Sequence, residues 1–183
     1  NETIEKRTAF NRSQKLNYYE ISDNLIRFWY RFIFDRQEEI ALGLGDVLFE
    51  ECKTEIDDFI AHGFEDVAIS FLTEQNGKGL LPYYYAPIRN YKVDNSKLGR
   101  SIELDGLAEG LGKNSNCLLV VECKYRKAPF SVAMLEQLKE SVSIFGGYTT
   151  IDYYLFSKSG FTPEIMKLSD SSLHFISLDS MFS

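Results

Sequence analysis

Two short stretches of this chain carry residue types suited to hydrolytic chemistry. Ser101-Ile102-Glu103-Leu104-Asp105 is followed, seventeen residues after Asp105, by Glu122-Cys123-Lys124. Each reads as a strand, in which alternate side chains share a face. Glu103 and Asp105 then face one way while Ile102 and Leu104 turn into the core. Glu122 and Lys124 likewise share a face, opposite Val121 and Cys123. Two such strands side by side present two or three carboxylates and one ammonium at one spot. That is the minimum needed to hold a divalent ion beside a phosphodiester and to activate a water. Clustered carboxylates repel one another, so a metal or the lysine is expected to offset them.

The elements that would position these residues are most regular in the second half of the chain. Strands are expected at 101–108 and 117–124, joined by a glycine- and asparagine-rich turn at 110–116, which is a hairpin signal. A helix over 131–144 follows Pro129, and Gly146-Gly147 ends it. A strand at 151–156, a short helix at 162–168 with Pro163 at its first position and a last strand at 173–178 complete the pattern. Upstream, 46–61 reads as an amphipathic helix closed by Gly63. Residues 67–72 continue the helix or form a strand, Tyr83-Tyr84-Tyr85 begin a strand, and 90–100 read as a mobile loop. At the front, the basic segment 1–16 reads as an arm or linker and Tyr18-Tyr19-Glu20-Ile21 as a strand. Ser22 or Asp23 caps a helix over 24–34. Its Leu25, Ile26, Phe28, Trp29, Phe32 and Ile33 cover most of the circumference and call for burial on more than one side, by this domain or by a neighbouring one. The order of elements predicts an α/β fold, with a mixed central sheet flanked by helices.

Composition narrows the class further. The 183 residues fit one domain, or one with a small appendage. Hydrophobic residues make up 44% and aromatics 14%, which supports a packed core rather than disorder. The net charge of -7 opposes nonspecific attraction to nucleic acid. A local patch can override it, and Lys124, Arg126 and Lys127 form one directly on and after the candidate strand, either as phosphate contacts or as a plain basic rim. Cys52, Cys117 and Cys123 lack paired ligand spacing, and His62 and His174 lie far apart, which argues against zinc. The cysteine usage points to a reducing, cytoplasmic setting. The longest apolar run, Cys117 to Val121, is far too short for a membrane span. Gly77-Lys78 has neither the upstream glycine nor the Ser or Thr of a phosphate loop. The chain starts at Asn1 rather than methionine, which leads us to expect a longer polypeptide.

The helix–three strands–helix–strand order, with Glu103-Leu104-Asp105 on one strand and Val121-Glu122-Cys123-Lys124 on the next, resembles the PD-(D/E)XK, or restriction-endonuclease-like, superfamily. The resemblance covers 43–178 and implies an αβββαβ core. It implies that Asp105 and Glu122 bind Mg2+ or Mn2+, that Lys124 orients or polarises the attacking water, and that an acidic residue of the first helix joins them. Glu50 is the best match for that residue, although Glu51 stands beside it and the helix register decides between them. Gln137 is similar to a glutamine that some branches place near the site. The proline before the aspartate is missing here. The stretch from Tyr19 to Ile33 is similar to the segment joining a winged helix to the nuclease-like C-terminal domain of archaeal and bacterial AAA-type ATPases. That likeness implies the end of a winged helix and a linker over 1–40 and a nuclease-like domain over 41–183. It also implies a P-loop ATPase module elsewhere in the same polypeptide, DNA as a partner, and room for self-association. The other reading is a catalytically inactive module that docks or regulates the ATPase or a nucleic-acid partner.

Overall fold

The computed structural model describes residues 4–8, 10, 17–95 and 99–182. The front of the chain forms an antiparallel pair, β1 (Ile4–Thr8) and β2 (Asn17–Ile21), so part of the expected arm is a strand. Asp23 then caps α1 (Asn24–Phe28), its carboxylate accepting from the backbone N–H groups of Leu25 and Ile26. The helical path continues through a π turn (Trp29–Ile33) and a 3-10 turn (Phe34–Arg36) into α2 (Gln37–Ala41). This chain by itself does not bury the run on more than one side. In this run Phe32 is buried, while Leu25, Trp29, Tyr30 and Phe34 are exposed.

The helix expected to stop at Gly63 instead runs as α3 from Gly45–Gly77. Glycine in a helix costs about 1 kcal/mol against alanine, but Phe64, Ala68 and Leu72 continue an i, i+4 stripe beyond it and are all buried. Burying each large side chain is worth about 1.5–3 kcal/mol, which outweighs the glycine. Termination falls at Gly79, whose φ of 68° suits the left-handed position after a helix.

A mixed sheet follows, built from β3 (Arg89–Asn95), β4 (Arg100–Glu109), β5 (Cys117–Lys124), β6 (Thr150–Ser157) and β7 (Leu173–Ser177), paired in that order. The first three are antiparallel and the last three parallel. The parallel crossovers are α4 (Val132–Val142) and the short α5 (Pro163–Met166). β3 occupies most of the segment expected to be a loop; its polar residues suit an edge strand, and Lys92 pairs with Glu103 at 3.1 Å. Tyr83-Tyr84-Tyr85 do not begin a strand. Tyr85 makes one bridge to Gly110, and the Asn76 side chain takes up its backbone N–H and C=O at 3.0 and 2.9 Å, so no ladder forms.

Strands β5 and β6 are buried on both faces, which explains their near-continuous apolar composition. Leu118, Val120 and Leu155 pack with Leu135, Leu138 and Val142 of α4. Leu119, Val121 and Phe156 pack with Phe64, Ala68 and Leu72 of α3. The result is an α/β sandwich with α3 on one face of the sheet and α4 on the other. No helix among the described residues is long and apolar enough to cross a membrane.

Candidate active site

The strands β4 and β5 pair only from Gly106 opposite Val121 to Glu109 opposite Leu118. Beyond Gly106 they diverge, and Asp105 stands at the fork. Its position is set by a bulge. The β3–β4 register slips by one between Tyr91, opposite Leu104, and Arg89, opposite Leu107. Ile102 and Leu104 belong to the α4 layer before the slip, and Leu107 joins the same layer after it. The extra residue turns Asp105 and Gly106 together toward the α3 side. A Cβ at Gly106 would lie 2.7 Å from Ile88 and 2.9 Å from Val121, so only glycine lets the strand pass there.

At the fork Asp105 Oδ2 accepts the backbone N–H of Cys123 at 2.6 Å. The carboxylate thus replaces the missing ladder partner in the middle of Glu122-Cys123-Lys124. Lys124 Nζ donates to Glu122 Oε1, with the Glu122 side chain 14% and the Lys124 side chain 30% exposed. Burial drives the Asp105 carboxyl well above the ordinary aspartate range, and the charges of Glu122 and Glu65 push the same way; the Cys123 N–H and Lys124 oppose them in part. Burial also raises Glu122, against the pull of Lys124 and Arg126. Burial works against the Lys124 ammonium, but Glu122 and Asp105 outweigh it and raise its pKa. Lys124 is paired with Glu122, and the two alternate with Val121 and Cys123 onto the α4 side, whereas Asp105 lies on the α3 side against the Cys123 N–H.

The other expected residues lie further out. Glu50 is exposed, pairs with Lys53 at 3.1 Å and sits fifteen residues before Glu65, about 22 Å along the helix axis. Glu65, on the same helix, is the α3 carboxylate whose charge reaches both Asp105 and Glu122. Arg126 and Lys127 are exposed on the loop after β5, and Arg126 favours ionised Glu122. Gln137 is exposed on α4, and Glu103 is held at the rim by Lys92.

Sequence reasoning missed two site residues. Glu65 becomes visible only when the helix is carried through Gly63. Arg89 is half-buried and lines a cleft of about 720 Å³ together with Asp105, Glu65, Arg27 and Arg31. It would have been found by reading the polar segment before β4 as an edge strand. The described lining of that cleft includes neither Glu122 nor Lys124.

Among the described residues, no three His, Cys, Asp or Glu side chains are grouped to hold an ion by themselves. The donor set is hard oxygen from Asp105 and Glu122, both desolvated and mutually repelling. That chemistry fits magnesium or manganese, since magnesium is commonly held by one or two carboxylates with waters and phosphate oxygens supplying the rest.

An uncharacterized protein of Methanocaldococcus jannaschii, MJECL04, is 33% identical to this chain over 127 residues, which are 68% of this chain and 27% of that protein. The chain thus spans well under half of the length of that relative. No solved structure matches this chain. Residues 29–140, most of the chain, match a family described as archaeal and bacterial proteins of unknown function, and the stretch contains Glu65, Arg89, Asp105, Glu122 and Lys124. The chain belongs to that family, DUF234.

Proposed function

We propose that this chain is a nuclease-like domain of the PD-(D/E)XK kind, within a larger cytoplasmic AAA-type ATP-binding protein, and that it hydrolyses DNA phosphodiesters with magnesium or manganese. The observation that carries this reading is the Asp105–Cys123 contact, which brings the β4 carboxylate onto the strand bearing Glu122 and Lys124. Asp105 and Glu122 would hold the metal, with Glu65 rather than Glu50 in reach as a supporting carboxylate. Such an ion, when bound, draws charge from the scissile phosphate and acidifies a water.

The remaining roles fall to the chain itself. The Cys123 N–H fixes the Asp105 carboxylate in orientation. Lys124, whose raised pKa keeps it protonated at neutral pH, orients the attacking water or binds a phosphoryl oxygen and does not serve as a general base. Lys124, Arg126 and Lys127 would meet the DNA backbone at the exit of β5. The partner module, a P-loop ATPase of the same polypeptide, is consistent with a relative of which this chain spans 27%.

Cleavage of supercoiled plasmid and of single-stranded DNA with magnesium or manganese tests the reading. Asp105→Ala and Lys124→Ala should each lower the rate by roughly a hundredfold or more. Cutting that persists in both variants rejects the assigned centre. One observation favours a second reading, an inactive module that docks the ATPase, a nucleic acid or another copy of the chain: Leu25, Trp29, Tyr30 and Phe34 are exposed along the helical run. Such a module should bind no magnesium or manganese in an Asp105-dependent manner.

A further inference from the structure

The cleft beside Asp105 shares a wall with a second hollow of about 410 Å³, and the shared residues are Glu20, Arg27 and Arg31. The second hollow is lined by Tyr19, Tyr30 and Phe59, and its two tyrosines are 73% and 56% exposed. Arg27 is a fixed post between the two. It pairs with Glu20 at 3.1 Å and Asp66 at 3.3 Å and lies over the Phe59 ring. The other two guanidiniums have fewer charged partners, although Arg31 lies over the Phe32 ring. Arg89 has no carboxylate partner among the described residues. Arg31 reaches Glu55 only at 3.9 Å, with both side chains exposed, a pair worth little in water. An aromatic hollow, two arginines and a half-buried aspartate therefore lie along one connected surface.

We propose that this surface is a binding channel for single-stranded nucleic acid. Unpaired bases stack on Tyr19 and Tyr30, the sugar–phosphate backbone passes Arg31 and Arg89, and a phosphodiester is delivered to Asp105. Base–aromatic stacking and a cationic track are the two parts of sequence-independent strand binding. Stacking requires base faces that a duplex keeps covered. Both volumes are of the size of ligand pockets, about 300–1,000 Å³, which admits a few nucleotides of one strand and not the width of a duplex. The net charge of -7 also disfavours a broad electrostatic grip on duplex DNA, whereas a lined channel needs only local cations. The proposal deepens the nuclease reading, and rests on it for the fate of the strand but not for its binding.

The test is fluorescence anisotropy of the purified protein in EDTA, so that neither metal nor cleavage enters the readout. The probes are a labelled single strand, as DNA and as RNA, and a hairpin duplex of the same sequence. Either strand should bind more tightly than the duplex. Tyr30→Ala should weaken strand binding about tenfold while Tyr30→Phe retains it. Arg89→Ala should lower the slope of log K against log salt by about 0.7, and Arg89→Lys should restore it. Duplex binding as tight as strand binding, or an unchanged affinity in Tyr30→Ala, overturns the channel even if Asp105→Ala abolishes cutting. Strand binding as described, with cutting that survives Asp105→Ala, leaves the channel standing and removes the nuclease centre.

Discussion

Asp105 is the residue on which the site turns, and its burial has a measurable consequence. Its carboxyl titrates well above the unfolded value of about 3.9 because burial, Glu122 and Glu65 disfavour the charge. The folded chain then holds a proton that the unfolded chain has released. Stability contributed by this group is fully present below the unfolded pKa and is lost as pH rises through the folded pKa. Glu122 acts in the same direction. In EDTA the melting temperature should therefore fall as pH is raised from the acid side through this window. Asp105→Asn keeps an oxygen for the Cys123 N–H and removes the charge, so it should flatten the fall and melt higher than the parent near neutral pH. Magnesium or manganese should narrow the gap by stabilising the parent alone. Differential scanning fluorimetry across pH decides it. A lower melting temperature for Asp105→Asn at neutral pH without metal would show that the ionised carboxylate stabilises the fold.

At the scale of the element, two glycines with opposite roles separate what position demands from what composition hints. Gly63 lies inside α3 with ordinary helical backbone, and nothing stands within 4 Å of the place a Cβ would take, so Gly63→Ala should stabilise the protein by about 0.5–1 kcal/mol. Gly106 sits at the bulge against Ile88 and Val121, and Gly106→Ala should destabilise by about 1–3 kcal/mol and displace Asp105. Urea unfolding of the two variants should move in opposite directions. The pair also shows where the sequence is legible. β5 is found at its expected bounds, and β4, β6, β7 and α4 lie within one or two residues of theirs, because apolar alternation or continuous apolar runs bounded by turns are strong local signals. Gly63 misleads because glycine is a stop signal only when the following residues lack a reason to continue the helix. β3 is hidden because an edge strand needs few apolar residues. The bulge at Asp105 leaves no mark in the order of residues beyond Gly106 itself. The adjacency of the strands that carry Asp105 and Glu122-Cys123-Lys124 follows from the hairpin signal between them, whereas the contact of Asp105 with Cys123 depends on the bulge, and Glu65 and Arg89 sit on elements that the local pattern misplaces.

For the whole molecule, α3 is the member shared by two unequal parts. Its later turns place Phe64, Ala68 and Leu72 against the sheet, while its earlier turns carry Phe59, which meets Phe28 and Phe32 of the front helical run at 5.8 and 5.7 Å. A join that lies inside a continuous helix has no loop to announce it, and Gly63, between Phe59 and Phe64, is passed without a break. The two parts are unequally buried. The sheet and its two covering helices hold nearly all of the fully buried side chains, whereas 24–41 contributes Phe32 alone to the buried set. Local opening follows burial, so hydrogen exchange should be fastest over 24–41 and slowest in β5 and β6. Phe59→Ala should speed exchange in 24–41 much more than in β5, since it removes the aromatic contact and leaves the sheet packing in place. Because Arg27, Tyr30 and Arg31 line the hollows from that same run, a bound single strand should slow its exchange and leave β5 and β6 unchanged. Equal protection across both parts in the free protein would mean that the front run opens only with the core, and that the strand channel is preformed rather than ordered on binding.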